Sequence, residues 1–257
     1  MAMLRLDKLL ADTGRYTRRE SKQLIREGRV LVDGRVARTA EEKVSPEEHT
    51  VTVDGEAILH RRFTWVMLHK PAGVLSATED SRQKTVLDLL PQELRRQELF
   101  PVGRLDKDTE GLLLLTNDGE TAHRLLSPKY HVEKRYLAHT EGCLQEADRL
   151  AFAEGIVLGD GTQCRRAKLE ILQATEQGSR CIVTVHEGKF HQVKRMLAGR
   201  GCPVVYLKRL SMGGVTLDDR LAPGEYRLLS AQEELLLRRE TGDAGEKKGH
   251  LMDSNKK

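Results

Sequence analysis

The sequence contains only four cysteines, and their spacing excludes the common cysteine-based metal sites. Cys143, Cys164, Cys181 and Cys202 lie far apart, without a CxxC pair or a tight cluster of cysteine and histidine. Structural zinc sites need such closely spaced ligands. We therefore expect reduced thiols with mainly structural roles, and no metal site.

Long hydrophobic runs are also missing. No stretch approaches the roughly eighteen apolar residues that a membrane-spanning helix requires. The first residues, MAMLRLDKLLADTGR, lack the apolar core and the small-residue cleavage site of a secretory signal. We therefore expect a cytoplasmic protein with no membrane partner.

Aromatic residues make up only 4% of the 257 residues, whereas 39% are hydrophobic and 32% are charged. This apolar content is too high for a disordered chain. A chain of this length can form one large domain or two modest ones without help from disulfides or metal. The composition therefore predicts a folded protein of enzyme size.

The net charge of +4 is small, but the positive charge is concentrated near the N-terminus. Between residues 5 and 38, basic residues outnumber acidic ones by about two to one. Such an excess suits a polyanion like RNA. The RNA contacts expected here lie on one predicted helix: Arg18, Arg19, Lys22 and Arg26.

Residues 1–60 are predicted to form a small RNA-binding domain of two helices and several strands. Apolar residues between positions 4 and 28 recur at helical spacing, and Thr13-Gly14 divides them into two helices. Thr17 is placed to cap the second helix. Strands are predicted at residues 30–36, around an Asp33-Gly34 turn, and at residues 50–53.

The second predicted domain covers residues 61–240 and contains both strands and helices. Strand-like runs occur at residues 111–116, 134–140, 168–172, 181–186 and 204–210. Helical patterns occur at residues 85–90, 119–126, 145–154 and 192–198. We predict an α+β fold built on a mainly antiparallel sheet, followed by a disordered tail over residues 241–257.

The segment GRLDKDTEGLLLLTNDG, residues 103–119, places a charged loop directly before one of the most apolar runs of the chain. If residues 112–115 form a buried strand, Asp106 lies at its mouth, where its carboxylate can be partly desolvated and held by Arg104. Two alternatives stay open. Asp106 and Asp108 could form an ordinary turn, or a carboxylate pair for glycoside chemistry, although they are very close in sequence for that task.

This segment resembles the signature of the pseudouridine synthases, in particular the enzymes acting on small-subunit ribosomal RNA and their large-subunit relatives. Other stretches resemble that family in the same order: MLHKPAG at 67–73, KRY at 134–136, EGKFHQVKRM at 187–196 and LAPGEYR at 221–227. His69 stands where the resemblance leads us to expect asparagine. The N-terminal segment is similar to the S4-type, or alpha-L, RNA-binding domain.

The resemblance implies an isomerase that converts one uridine of 16S ribosomal RNA into pseudouridine without metal or redox cofactor. Asp106 would attack the target nucleoside, so that the base is released, turned and rejoined through carbon. Arg104 would lie beside it and touch RNA, Lys194 would pair with its carboxylate, and Tyr136 would stack on the extruded uracil. Further expected RNA contacts are Lys70, Lys134, Lys189, His191, Gln192 and Arg195.

Other functions stay open on sequence alone. A non-catalytic rRNA-binding assembly factor would explain the basic helix but not residues 61–240. A base-excising glycosylase or a glycoside hydrolase would also use carboxylates at a glycosidic bond. A synthase acting on large-subunit (23S) rRNA shares the same motifs, although residues 212–218 and 221–227 resemble the small-subunit enzymes more closely. In each synthase case we expect a monomer whose partner is ribosomal RNA or an assembly intermediate.

Overall fold

The computed structural model describes residues 3–242. The tail expected over residues 241–257 therefore falls outside the described residues from residue 243 onward. Within the described range, no helix is long and apolar enough to cross a membrane. A small N-terminal unit is followed by a larger unit built around a mixed sheet.

The N-terminal unit packs two helices against small antiparallel sheets. Its elements are β1 (Leu4–Arg5), α1 (Leu6–Asp12), α2 (Arg18–Arg26), β2 (Val30–Val32), β3 (Arg35–Val36), β4 (Lys43–Val44), β5 (Val51–Val53) and β6 (Glu56–Ala57). A capping box begins α2, because the Thr17 hydroxyl accepts from the Glu20 amide and the Glu20 carboxylate accepts from the Thr17 amide. The apolar faces of both helices share one core with the strands.

The basic residues of α2 share one face of the helix. At about 100° per residue, four cations fall within an arc of about 100°. They are Arg18, Arg19, Lys22 and Arg26. The buried residues Ser21, Leu24 and Ile25 lie outside this arc. Folding of the unit therefore leaves a continuous cationic surface on α2.

In the part of the chain that the structure describes, the larger unit contains nine strands in one sheet. They are β7 (Trp65–Lys70), β8 (Phe100–Pro101), β9 (Glu110–Thr116), β10 (Lys134–Thr140), β11 (Lys168–Thr175), β12 (Gly178–Val185), β13 (Val204–Met212), β14 (Val215–Thr216) and β15 (Tyr226–Leu228). The main order is β11-β12-β10-β13-β9-β7-β15, with β8 beside β9 and β14 beside β13. Within the described residues, the contact between β13 and β9 is parallel and the other pairs of this sheet are antiparallel. The predicted α+β fold with a mainly antiparallel sheet is confirmed.

Helices cover the sheet. They are α3 (Gln92–Arg95), α4 (Gly119–Leu126), α5 (Glu146–Glu154), α6 (Gln192–Ala198) and α7 (Ala231–Glu240), with 3-10 turns at Val86–Leu89 and Pro128–Tyr130. The central strands β7 and β9 are buried on both faces: Met67 and Leu114 pack into one core cluster, and Leu68 and Leu113 into another. Their near-continuous apolar sequence is what burial on both faces requires.

Gly111 lets the start of β9 approach β13 very closely. Its φ is +102°, and a Cβ built there would lie 2.3 Å from the Arg209 carbonyl oxygen. No other residue type fits such a contact without moving the backbone. The charged loop that precedes β9 therefore lies directly beside β13.

The N-terminal unit contacts the larger unit through the loop between α1 and α2. A Cβ at Gly14 would lie 1.9 Å from the Glu93 carbonyl oxygen of α3. The Gln97 side chain donates a 2.8 Å hydrogen bond to the Thr13 carbonyl, and Arg96 donates to the Arg15 carbonyl at 3.4 Å. Residues 58–64, between β6 and β7, carry no helix or strand, and the domain boundary near residue 61 stays a prediction.

Candidate active site

The loop carrying Asp106 is held by hydrogen bonds from outside itself. The Leu105 amide donates to the Ser76 hydroxyl oxygen at 3.1 Å, and that hydroxyl donates to the Leu105 carbonyl at 2.9 Å. The Gly73 amide donates to the Lys107 carbonyl at 2.8 Å. Within the loop, the Thr109 amide donates to the Asp106 carbonyl at 3.1 Å. The Asp106 backbone is therefore fixed before any ligand arrives.

Lys70, at the end of β7, lies beneath this loop and not at the surface. Its side chain is completely buried, and its ammonium donates to the carbonyls of Pro71, Lys107 and Thr109 at 3.0, 3.2 and 2.9 Å. Burial lowers the pKa of Lys70 to about 8, although Asp108 and other nearby acids oppose that shift. The contact between Lys70 and RNA stays a prediction that this geometry does not support, because the ammonium already donates to three backbone carbonyls.

Asp106 shares one ammonium with Asp108. Lys194 Nζ lies 3.2 Å from Asp106 Oδ2 and 2.6 Å from Asp108 Oδ1. Burial lowers the pKa of Lys194, but the hydrogen bonds to Asp108 and Asp106 outweigh it and leave the pKa raised. The side chain of Asp106 is 26% exposed, against 74% for Asp108. The expected pairing of Lys194 with Asp106 is present, and Asp108 is a partner that the sequence did not predict.

His191 approaches Asp106 from the other side. Its Nε2 lies 3.4 Å from Asp106 Oδ1, and its backbone has a left-handed φ of 48° immediately before α6. Its ring stacks on that of Phe190, with centroids 3.9 Å apart. His186 points elsewhere, with Nδ1 2.9 Å from the His131 carbonyl. His191 is therefore beside the candidate nucleophile, and His186 is not.

Glu187 organises the turn that leads into α6. Its buried carboxylate accepts from the Gln192 side chain at 2.8 Å and from the Arg165 amide at 2.9 Å. The Gln192 oxygen accepts from the Lys189 amide, and the Lys189 ammonium contacts the Glu187 carboxylate and the Gln163 carbonyl. Both polar atoms of Gln192 are occupied inside the protein. The RNA contact of Gln192 stays a prediction that these internal hydrogen bonds do not support, and Lys189 is held at the rim.

Tyr136 forms part of the floor of the site. It lies half-buried in β10 and lines both a small chamber of about 80 Å³ and a wider groove of about 1050 Å³ that share Asp106. Lys134 and Arg209 also line the groove, and both are almost fully buried. The Tyr136 ring is therefore accessible to a base bound in the groove or the chamber.

Arg104 and Arg195, both expected at the site, differ in their position relative to Asp106. Arg104 is exposed at the rim of the chamber, and within residues 3–242 no hydrogen bond or ion pair joins it to Asp106. The expectation that Arg104 holds the carboxylate is therefore wrong for the unbound protein, while its position leaves it open to a ligand. Arg195 is tied to Asp160 by a 2.6 Å ion pair away from Asp106.

The other expected RNA contacts lie on α2, in the N-terminal unit and outside the chamber. His69 has a structural role, because its Nδ1 lies 2.6 Å from the Leu221 carbonyl.

Sequence reasoning missed Ser76 and Arg209. A serine in a loop carries no special signal, and Arg209 looks like an exposed strand cation until its neighbours are known.

The arrangement suits covalent chemistry at a carbon atom. Asp106 is partly exposed at the chamber, its backbone is fixed, and an ammonium lies within ion-pair distance of its carboxylate. A carboxylate so placed can attack an electrophilic carbon of a bound nucleoside. The aromatic ring of Tyr136 offers a face on which a base can stack.

Comparison with known proteins identifies both parts of the chain. The family model for RNA pseudouridylate synthase matches residues 64–199, and the S4 domain model matches residues 4–49. An uncharacterized RNA pseudouridine synthase of Bacillus subtilis (strain 168) is 52% identical over 91% of this chain and 98% of that protein. The ribosomal small subunit pseudouridine synthase A of Escherichia coli (strain K12) is 40% identical over 90% of this chain and 98% of its own length. A pseudouridylate synthase crystal structure aligns with a TM-score of 0.64 at 37% identity, covering 91% of this chain and 99% of that one.

Proposed function

This chain belongs to the family of RNA pseudouridylate synthases, and we propose that it isomerises one uridine of small-subunit (16S) ribosomal RNA with Asp106 as the nucleophile. The choice of RNA is supported by relatives named as small-subunit pseudouridine synthases, at 40% and 42% identity. The choice of nucleophile is supported by the Asp106 carboxylate at the chamber, with Lys194 at 3.2 Å.

The reaction needs no oxidant or reductant, because substrate and product are isomers. The bond from the ribose to N1 of uracil breaks, the base turns, and a bond from the ribose to C5 forms. The proton on C5 is lost and N1 gains one. A covalent adduct with Asp106 divides this exchange into two easier displacements. The attacked atom is either a ribose carbon or a ring carbon of uracil.

The neighbouring side chains have roles that follow from their positions. Lys194, whose pKa is raised, stays a cation at neutral pH and can balance the negative charge of Asp106. Tyr136 stacks on the extruded uracil. Arg104, which has no hydrogen-bond or ion-pair partner among residues 3–242, binds RNA beside the target nucleotide. Lys189 and His191 supply further contacts around the entrance, and Arg195 contacts RNA farther from Asp106.

Replacement of Asp106 by Asn tests the nucleophile directly. The amide keeps the shape and lacks the nucleophilic charge, so we expect pseudouridine formation to disappear while the RNA Kd changes by less than about twofold. Asp108→Asn is the matched control, since Asp108 is two residues away and contacts the same ammonium but is mostly exposed. We expect this control to keep most of its activity. If Asp106→Asn retained a tenth of the wild-type rate, the assignment would be wrong.

The RNA target is tested by mapping pseudouridines in ribosomal RNA from a strain that lacks the gene. We expect one uridine of 16S rRNA to stay unmodified, and its modification to return with the wild-type gene but not with Asp106→Asn. Loss of a 23S modification instead would assign the protein to the large subunit. Release of free uracil by the purified protein would indicate a glycosylase, and RNA binding without conversion would favour an assembly factor.

A further inference from the structure

Arg209 is a buried cation with few partners. It lies in β13 with 2% of its surface exposed, and its Nε donates to the Leu112 carbonyl at 2.7 Å. Its Nη2 has no hydrogen-bond partner, and no carboxylate of residues 3–242 forms an ion pair with it. A buried charge without a counter-charge costs several kcal/mol. The arrangement is therefore unfavourable unless it serves a ligand.

Lys134 is a second buried cation beside it. It is 5% exposed, and its ammonium donates to the Val132 carbonyl at 2.8 Å. Tyr136, two residues along β10, pairs directly with Arg209 of β13. Lys134 and Tyr136 alternate with Arg135 along β10, and across a register shift in the pairing with β13 both line the same groove as Arg209.

The electrostatics of the two cations agree with that geometry. Burial, together with a smaller contribution from the charge of Arg209, lowers the pKa of Lys134 to about 8. No acidic residue opposes the shift. The charge of Arg209 therefore disfavours the charged form of Lys134.

Lys70 shows what a buried cation with a structural task looks like in this protein. Its ammonium donates to three carbonyls, and Asp108, Asp106 and Glu110 all favour its charged form. Lys134 and Arg209 each donate to one carbonyl, and within residues 3–242 neither forms an ion pair, although Asp106 and Glu187 line the same groove. A purely structural role therefore accounts for Lys70 and leaves the other two uncompensated.

Both uncompensated cations line the groove of about 1050 Å³ that also contains Asp106 and Tyr136. We propose that Lys134 and Arg209 form a docking site for one backbone phosphate of the RNA strand, at a linkage flanking the target uridine. The site rests on the proposed function, since it needs an RNA strand in the groove. A phosphate supplies the missing negative charge, and its oxygens suit both an ammonium and a guanidinium.

The test uses the full-length protein and a short RNA that contains the mapped target uridine. Single phosphates on either side of that uridine are replaced, one at a time, by neutral methylphosphonates. We expect one such linkage to weaken wild-type binding by about tenfold, which corresponds to the loss of one charged hydrogen bond. Lys134→Met should bind the unmodified RNA about as weakly, and the same methylphosphonate should weaken its binding by less than twofold.

Arg135→Met is the matched control, because the neighbouring strand position points to the other face of the sheet. It should keep the full sensitivity to the methylphosphonate. In the absence of RNA, Lys134→Met should have a Tm at or above that of the wild type, since it removes an uncompensated buried charge. A structural role would instead lower the Tm and leave the sensitivity unchanged. We expect Arg209→Met to bind RNA in the same way as Lys134→Met. If Arg209→Met does not fold, the result for Lys134→Met decides the test.

Two results would overturn the proposal. One is wild-type binding that tolerates a methylphosphonate at both linkages, and the other is a Lys134→Met variant that keeps the wild-type sensitivity. Conversion of the same RNA by the wild-type protein is measured separately. Intact conversion with no sensitive linkage would remove the phosphate site alone, whereas absent conversion would count against the proposed function.

Discussion

Lys70 helps to fix the backbone position of the loop that carries Asp106. Two of its three hydrogen bonds join the end of β7 to the segment that follows Asp106, at the Lys107 and Thr109 carbonyls. A positioned group acts through geometry, and a displacement of about 1 Å can reduce a rate by as much as a hundredfold. Lys70 can therefore matter for catalysis without touching RNA.

We expect Lys70→Met to lower kcat by about tenfold to a hundredfold while RNA Kd and KM stay within about twofold. Steady-state kinetics with 16S rRNA fragments, together with a binding titration, measure both quantities. Lys107→Met is the control, because it removes an exposed cation from the same loop and leaves the loop carbonyls bonded. A weakened Kd with unchanged kcat for Lys70→Met would contradict the positioning role.

Tyr136 is predicted to act through its ring and not its hydroxyl. Within residues 3–242 the hydroxyl has no hydrogen-bond partner, although the ring lines the chamber. Tyr136→Phe should therefore keep nearly normal binding and single-turnover rate. Tyr136→Leu should lower both by about tenfold, because base stacking contributes roughly 1–3 kcal/mol. Near-wild-type rates for both variants would indicate a structural strand residue, and an equally large loss in both would assign a catalytic role to the hydroxyl.

The residues of the candidate chamber were predictable through the family resemblance, and the burial of the cations was not. Asp106, Lys194 and Tyr136 lie in segments that resemble the motifs of the family, and the structure brings all three to one chamber. Lys70 and Lys134 were expected at an RNA surface because a charged residue looks the same in sequence whether it is buried or exposed. Their burial depends on which strands become neighbours, and that order comes from long-range pairing.

At the scale of elements, local signals predicted most helices and strands of the site. The predicted bounds are correct for helices α4 and α6 and for strand β10. Each of these segments has a strong hydrophobic period and a clear end. The predicted helix over residues 85–90 is a 3-10 turn at Val86–Leu89. Helix α7 was not predicted, although Ser230 and Glu233 form the capping-box signal that begins it.

Glu233 stabilises α7 and ties it to β15. Its carboxylate accepts two hydrogen bonds from Arg227, at 2.7 and 2.8 Å, and one from the Ser230 amide at 2.8 Å. The hydrogen bonds from Arg227 make the largest contribution to lowering its pKa from 4.5 to about 2. A carboxyl whose pKa is lower in the folded state adds stability above its ordinary pKa and loses it as the pH falls toward the folded value.

We therefore expect Glu233→Gln to lower the free energy of unfolding by about 2 kcal/mol at pH 7. The difference from wild type should shrink as the pH falls from 4.5 toward 2, the interval set by the two pKa values. Urea unfolding at several pH values measures it. Glu234→Gln is the control with the opposite sign, because burial raises the pKa of Glu234. A loss at pH 7 that stayed constant down to pH 2 would contradict the assigned cause.

At the scale of the whole molecule, the two units present positive charge on both sides of their junction. A groove of about 800 Å³ at the junction is lined by Lys8 and Arg18 of the N-terminal unit and by Arg61, Arg62 and Arg96 beyond it. The tight fit of Gly14 against α3 and the hydrogen bond from Gln97 to Thr13 hold the two sides together. The cationic face of α2 and the junction groove meet at Arg18, so one structured RNA can contact both.

The final prediction concerns the share of RNA affinity carried by α2. Replacement of Arg18, Arg19 and Arg26 by Gln leaves the buried face of the helix unchanged and removes three cations. Each phosphate that is no longer neutralised should reduce the slope of log K against log salt by about 0.7 to 0.9, because fewer counterions are released on binding. We therefore expect weaker binding to 16S rRNA fragments and a slope reduced by roughly 2, with an unchanged single-turnover rate at saturating enzyme.

The control variant makes the same change in net charge far from α2 in sequence. It replaces three exposed arginines by Gln: Arg149, Arg180 and Arg239. If both triple variants lowered the slope equally, net charge alone would explain the effect, and α2 would not be the RNA anchor.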